Sequence, residues 1–168
     1  MIQKQKKKTW KWFSKYIRVK YSDENGYCTC YTCGRVMKWN DRNCQAGHGI
    51  GGRTNNILFN EDIVRPQCYG CNVCGYGRLD EFADKLEKEI GRTKYKKILK
   101  SKREIKKYTE KELKEMEKHY KDKFFEILEE KNLEYKEKRK YKEITIITAK
   151  LYPTRTKSKK ILKELKNE

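Results

Sequence analysis

Two Cys-x-x-Cys pairs lie 34 residues apart in the sequence, Cys30-Tyr-Thr-Cys33 and Cys68-Tyr-Gly-Cys71. Each pair offers two thiolates on one tight turn, and two such turns complete a tetrahedral zinc site. Because four cysteines leave no open coordination position, the predicted zinc is structural. Three further cysteines lie close to the pairs and are alternative ligands: Cys28, Cys44 and Cys74. Cys71-Asn-Val-Cys74 is a rival second pair.

Two polar residues have types and positions that suggest catalysis. His48 lies in a Gly-rich segment between the cysteine pairs, and Asn72 directly follows the last cysteine. A neutral imidazole can take a proton from water, and an amide oxygen can help to hold Mg²⁺ or Mn²⁺ against a phosphate. We therefore predict that His48 faces Asn72 and acts as general base in phosphodiester cleavage. The alternatives are a zinc ligand or surface histidine for His48 and a capping residue for Asn72.

The charge balance indicates a polyanionic partner. The chain has 43 Lys and Arg against 24 Asp and Glu, a net charge of +19, and nucleic acid is the partner that such a surplus favours. The alternatives are ribosome-like or nonspecific adhesion, or a lysine-rich proteome. Three arginines near the site are predicted to hold phosphate oxygens: Arg35, Arg53 and Arg65. Lysines at the N-terminus are predicted to face outward toward the DNA backbone: Lys6, Lys7, Lys8, Lys11 and Lys15.

The elements that must position these residues are mixed. Only 36% of residues are apolar and 40% are charged, which predicts a small core supported by metal and by amphipathic helices. A helix is predicted from Thr9 to Val19, with its aromatic face on the metal core. Strands are predicted over 35–39, 44–48 and 57–59, the last ended by Pro66. The predicted fold class is α+β.

Two helices are predicted after the second cysteine pair. An apolar stripe from Leu79 to Ile90 indicates a helix that ends at Gly91. Thr109-Glu-Lys-Glu112 is a capping box, which predicts a second helix continuing to about Lys140. Its apolar stripe should pack on the Leu79 helix or on a second copy of the chain.

This pattern divides the chain into three predicted segments. Residues 1–78 form a zinc-containing core with a basic helix, 79–142 a helical extension for dimerisation and DNA contact, and 143–168 a basic tail or arm. The cysteine usage indicates a reducing compartment, and neither a signal peptide nor a membrane span is apparent. We therefore expect a cytoplasmic protein.

Several stretches resemble the NinG (Rap) recombination proteins of lambdoid phages, which belong to the HNH, or ββα-metal, nucleases that include endonuclease VII-type junction resolvases. The matching stretches come in order: Trp10–Arg18, Glu24–Cys28, Thr32–Arg35, Gln45–His48, Arg65–Cys68, Cys71–Asn72 and Lys107–Leu113. The resemblance covers roughly residues 8 to 130. It implies a zinc-stapled ββα-metal core and a structure-selective endonuclease acting on Holliday junctions and D-loops.

By motif position, the resemblance implies that His48 is the general base, Asn72 a catalytic-metal ligand and the four cysteines the zinc site. Many HNH enzymes carry an acidic metal ligand just before the base, where this chain has Gly47. Gln45 is the candidate substitute through its carbonyl oxygen. The middle Asn of the HNH pattern falls at Ile63, with Asn60 and Asp62 nearby.

These inferences predict a Mg²⁺- or Mn²⁺-dependent nuclease that cleaves branched or single-stranded DNA and leaves 5′-phosphate ends. Resolving a four-way junction needs two symmetric nicks, so a homodimer is expected. One alternative is a homing or restriction nuclease that reads sequence in linear duplex. The other is a non-catalytic zinc-finger DNA-binding recombination mediator.

Overall fold

A computed structural model describes residues 1–136 of the 168-residue chain, and Met1–Glu134 form one compact unit. Its main elements follow in order: α1 (Ile2–Lys20), β1 (Tyr27–Thr29), β2 (Val36–Lys38), β3 (Cys44–His48), α2 (Asn55–Leu58), β4 (Val64–Cys68), α3 (Leu79–Ile90), α4 (Arg92–Ser101) and α5 (Glu110–Glu130). A 3₁₀ turn over Glu61–Ile63 leads into β4, and a π-helical turn over Gly70–Cys74 follows it. The α+β class is confirmed. The predicted tail, 143–168, lies outside the described residues.

The core is built where α1 packs against α5. Apolar residues of α1 recur at spacings of three and four, and their rings meet those of α5: Phe13 lies 4.8 Å from Tyr120 and Trp12 lies 5.7 Å from Phe124 between ring centroids. At the far end, the Thr9 hydroxyl donates to the Leu113 carbonyl over 2.8 Å. The apolar stripe of α5 is therefore covered by α1 within the same chain.

This packing corrects two expectations about α5. The helix ends at Glu130, so it is about 31 Å long at 1.5 Å per residue, shorter than predicted. It packs on α1 of the same chain, whereas α3 was the expected partner within the chain. Met1–Glu134 form one compact unit, in which α5 packs on α1. The capping box of Thr109 and Glu112 is present as predicted.

The strands form two antiparallel two-stranded sheets, β1 with β2 and β3 with β4. In the second sheet, Cys44 pairs with Cys68 and His48 with Val64. Pro66 lies inside β4 opposite Ala46 and does not end a strand; a two-stranded sheet tolerates the missing N–H because both strands are edges. The predicted strand over 57–59 is wrong, since Asn55–Leu58 is a helical turn.

Helices cover both faces of the β3–β4 sheet. Trp10 of α1 stacks on His48, with ring centroids 5.2 Å apart. On the opposite face, a Cβ atom added to Gly49 would lie 2.6 Å from Phe82 of α3, so only glycine permits this close approach. The sheet is therefore buried between α1 and α3. The loops that carry the cysteines emerge at its Cys44–Cys68 end.

Candidate functional site

Four sulfur atoms converge where the first cysteine loop meets the end of β4. The Sγ atoms of Cys30, Cys33, Cys68 and Cys71 all lie within 4.8 Å of one another. Cys33 and Cys68 are 3.7 Å apart between sulfurs, close to the roughly 3.8 Å that tetrahedral Zn–S bonds of 2.3 Å require. The predicted ligand set is therefore brought together by the fold. It fits a structural metal such as zinc.

The electrostatics of these thiols favour a bound cation. Burial opposes ionisation of Cys30, but N–H donors of Cys33 and Cys68 and the Thr32 hydroxyl outweigh it and lower its pKa to about 6. Burial and the neighbouring sulfurs raise the pKa of Cys71 to about 12. Four adjacent thiolates would repel one another, and a divalent cation removes that repulsion.

The other three cysteines are not part of this cluster. Cys28 and Cys44 are buried beside each other under α1, where the Cys28 thiol donates to the Arg18 carbonyl over 3.0 Å. Cys74 is exposed at the end of the π-helical turn. The rival pairing of Cys71 with Cys74 is therefore not the one that the structure forms.

The π-helical turn after β4 carries Asn72, which contacts Gln45 of β3. The Asn72 Nδ2 group donates to the Gln45 Oε1 atom over 2.6 Å. This bond fixes the amide orientation and leaves the Asn72 Oδ1 atom as the oxygen that can face a ligand. Two candidate metal ligands of the sequence are thus brought into direct contact.

His48 lies at the end of β3 and is only 7% exposed. Its Nε2 atom is 3.0 Å from the Leu58 carbonyl oxygen, which can only accept, so Nε2 carries the proton and Nδ1 holds the free lone pair. Burial lowers the pKa of His48 to about 4, and the positive charge of Arg53 acts in the same direction, against the hydrogen bond to Leu58. His48 is consequently neutral at physiological pH.

The register of β3 bears on the expectation that His48 and Asn72 face each other. Gln45 and His48 are three positions apart on β3, about 10 Å along the strand, and an odd spacing puts their side chains on opposite faces. His48 points toward α1, while Gln45 and Asn72 lie on the face that α3 covers.

Gly47 marks the position where an acidic ligand was expected, and the structure explains the glycine. A Cβ atom at residue 47 would overlap the Oε1 atom of Gln67 from β4. Gln67 is fully buried, and its Nε2 group donates to the Gly77 carbonyl over 2.7 Å. Gln67 thus occupies the space in which a side chain at residue 47 would lie. Its hydrogen bond to Gly77 holds the loop after the zinc site.

The positions near Ile63 have structural roles. Ile63 is fully buried. The Asn60 side chain accepts from the Asp62 N–H and caps the 3₁₀ turn, and Asp62 pairs with Lys94 at 2.6 Å. These contacts account for all three residues without a catalytic metal.

The predicted phosphate-binding residues differ in accessibility. Arg65 is only 4% exposed and its guanidinium is held by Glu89 at 2.5 Å, so it is a core residue and not a phosphate contact. Arg35 and Arg53 are exposed, and the Arg53 guanidinium lies 4.3 Å from the Trp10 ring centroid. Lys15 of α1 has its Nζ atom 5.6 Å from the ring centroid of Phe124 on α5. The predicted lysines of α1 are all exposed or half-buried: Lys6, Lys7, Lys8, Lys11 and Lys15.

The buried imidazole predicts a pH-dependent stability. Between the ordinary pKa of 6.5 and about 4, the unfolded chain binds a proton that the folded His48 does not. The contribution of His48 to the free energy of unfolding is therefore fully present above pH 6.5. It decreases by about 3 kcal/mol as the pH falls to about 4. In urea titrations, wild type should lose more stability than His48→Asn over this pH range. Acid also affects the thiolates, but that effect is the same in both proteins. Equal losses would contradict a buried neutral imidazole.

In the described part of the chain, none of the helices is both long and apolar enough to cross a membrane.

A family model described as bacteriophage lambda NinG protein matches residues 2–131, more than half of the 168 residues. Comparison with curated proteins and with solved structures gave no significant match.

Proposed function

The chain belongs to the recombination-related NinG family of bacteriophage proteins, and from this membership and the site geometry we propose that it is a metal-dependent endonuclease that cleaves branched DNA. The order of elements supports this proposal: an antiparallel strand pair, β3 and β4, is followed directly by the helical turn that carries Asn72. Such an order would suit the ββα arrangement of the proposed HNH-type core.

The observation that carries the proposal is the state of His48. A general base must be unprotonated and must present a defined lone pair. The Leu58 carbonyl selects the tautomer with the proton on Nε2, and burial keeps the ring neutral. In the proposed reaction Nδ1 accepts a proton from water, the water oxygen attacks phosphorus, and the bond to the 3′ oxygen breaks. The products carry a 5′-phosphate and a 3′-hydroxyl.

We propose that Asn72 holds the catalytic Mg²⁺ or Mn²⁺ through Oδ1 and that Gln45 orients it. The hydrogen bond from Asn72 to Gln45 supports this division, because it occupies Gln45 Oε1 and leaves Asn72 Oδ1 as the amide oxygen available to a cation. Hard cations prefer such oxygen ligands. A bound cation would stabilise charge on the scissile phosphate and on the leaving oxygen.

The proposed DNA surface combines α1 and the segment after α3. Lysines of α1 are exposed or half-buried, and α4 contributes further basic residues. Trp10 of this surface contacts both the Arg53 guanidinium and the His48 ring. A net charge of +19 makes phosphate contact the main source of affinity. We expect a homodimer on a four-way junction, with an interface other than the covered stripe of α5.

The second candidate is a non-catalytic DNA-binding recombination protein stapled by zinc. The separation of His48 and Asn72 on opposite faces of the sheet favours it, as does the cover that Trp10 places over the imidazole. Such a protein would use the same basic surface. It would bind branched DNA without cutting it.

One assay separates these candidates. Zinc-loaded protein is incubated with an end-labelled four-way junction, and with a linear duplex of the same arms, in Mg²⁺ or Mn²⁺. The proposed function predicts metal-dependent nicks in the junction with 5′-phosphate ends and slower cleavage of the duplex. Binding without nicking in either metal identifies the non-catalytic protein. Nicking of the duplex at one sequence identifies a sequence-specific nuclease.

A further inference from the structure

Tyr76 is the most exposed aromatic side chain in the described part of the chain, with 89% of its surface accessible. The ring takes no part in the core, and within residues 1–136 it has no hydrogen bond or ring contact. A tyrosine contributes most to stability when its large apolar surface is buried. The fold therefore gains little from an aromatic residue here.

The backbone of Tyr76 is also strained. Its φ angle is +51°, in the left-handed region that residues with a Cβ atom rarely adopt, although Gly75 and Gly77 stand on both sides. A third glycine would relieve this strain at no cost in packing. An unfavourable conformation combined with an exposed ring is typical of a residue kept for binding.

The turn that carries Tyr76 is rigidly anchored. The Gly77 N–H donates to the Cys71 carbonyl over 2.9 Å, and the Gly75 N–H donates to the Gly70 carbonyl over 2.8 Å. The buried Gln67 side chain holds the Gly77 carbonyl. The zinc site and the sheet thus fix the base of an outward-pointing ring, four residues after Asn72. Tyr69, 46% exposed, begins the same turn three residues before Asn72.

We propose that Tyr76 is a stacking platform for an unpaired nucleobase, which it positions beside Asn72. This inference rests on the proposed function and deepens it, since it names the feature of branched DNA that is bound. Paired bases in a continuous duplex have no open face, whereas single strands and junction crossovers expose theirs. Because hydrogen bonds already hold the turn, its backbone loses little conformational freedom on binding, and the +19 charge attracts the DNA strand.

The test measures binding without added Mg²⁺ or Mn²⁺, so that its outcome does not depend on cleavage. Zinc-loaded wild type, Tyr76→Gly, Tyr76→Phe and Tyr76→Trp are titrated by fluorescence anisotropy onto a single strand, a four-way junction and a linear duplex. Stacking predicts that Tyr76→Gly binds the single strand and the junction about tenfold more weakly, with duplex affinity unchanged. The Phe and Trp variants should retain wild-type affinity.

Two controls separate binding from folding. Tyr76→Gly should be at least as stable as wild type in urea, because glycine accepts the left-handed backbone. Tyr27→Ala removes a comparably placed exposed tyrosine, 41% accessible on β1, and should leave all three affinities unchanged. A 2-aminopurine base in the single strand should be quenched by wild type and not by Tyr76→Gly.

Equal affinity of wild type and Tyr76→Gly for the single strand and junction would overturn the proposal. Loss of a dimer in Tyr76→Gly with DNA affinity retained would also overturn it and assign the ring to a protein interface. A protein that binds through Tyr76 but never nicks DNA would disprove the nuclease and leave the stacking site intact.

Discussion

Cys71→Ser is expected to lose zinc and to lower the free energy of unfolding by about 5 kcal/mol, a loss of the size that removal of a structural metal causes. The reason is local: Cys71 follows Cys68 by three residues in one Cys-x-x-Cys pair. Its thiol becomes a thiolate only beside a cation, because burial and its sulfur neighbours raise its pKa. Metal content and urea unfolding measure the two effects.

Cys74→Ser is the matched control, three residues away in the same turn. Its thiol is exposed and lies outside the cluster, so zinc content should not change and stability should change by less than about 0.5 kcal/mol. Loss of zinc in Cys74→Ser with retention in Cys71→Ser would contradict the ligand set. It would place Cys74 in the site instead.

Zinc removal should also show which parts of the fold depend on the metal. The α1–α5 pair is held by buried rings, among them Phe13 and Phe124, and by no cysteine ligand. The turn with Asn72 and the loop with Tyr76 depend on Cys71 and on Gln67. Chelation is therefore expected to release the site residues first, while most of the helical circular dichroism signal remains.

The sequence predicted those features that local chemistry determines. The four ligands follow from two matched Cys-x-x-Cys turns, and the start of α5 follows from the reciprocal bonds of Thr109 and Glu112. Gly91 ends α3 as predicted, with a φ angle of +84° that suits glycine. Each signal lies within a few residues, so no knowledge of the fold is required.

The features that were missed depend on contacts between distant residues. The apolar stripe of α5 does not reveal its partner, and α1 lies about a hundred residues earlier in the chain. Ile57 is apolar and β-branched, which favours a strand, but its buried position in a short helical turn is set by the surrounding core. The burial of Arg65 required Glu89 of α3, which no local pattern connects to it.

The relative placement of His48 and Asn72 is the feature that is hardest to predict from the sequence. Both lie near the zinc frame, and the sequence therefore suggested that they meet. The face to which each side chain points depends on strand register and on the π-helical turn, in which Asn72 turns toward Gln45. The glycine at residue 47 indicates that another group lies close to the backbone there, and that group is the Gln67 side chain.

His48→Asn is expected to lower the rate of junction cleavage by a factor of about 10² to 10⁴, the usual contribution of a general base. The affinity for the junction should remain that of wild type, because His48 is only 7% exposed and adds no charge to the DNA surface. Asparagine is polar and uncharged, so the substitution removes the base and introduces no charge beside the Leu58 carbonyl.

His119→Asn is the matched control, because it makes the same substitution at the second histidine of the chain. His119 lies on the exposed side of α5 and is not part of the site, so the cleavage rate of His119→Asn should equal that of wild type.

Because Nδ1 of His48 must be free to accept a proton, the wild-type rate should stay constant down to mildly acidic pH and fall only near the lowered pKa of His48, about 4. Similar rates in His48→Asn and wild type would remove His48 from the mechanism. Since Gln45 and Asn72 lie on the other face of the sheet, the hydrolytic water would then have to be activated from that side.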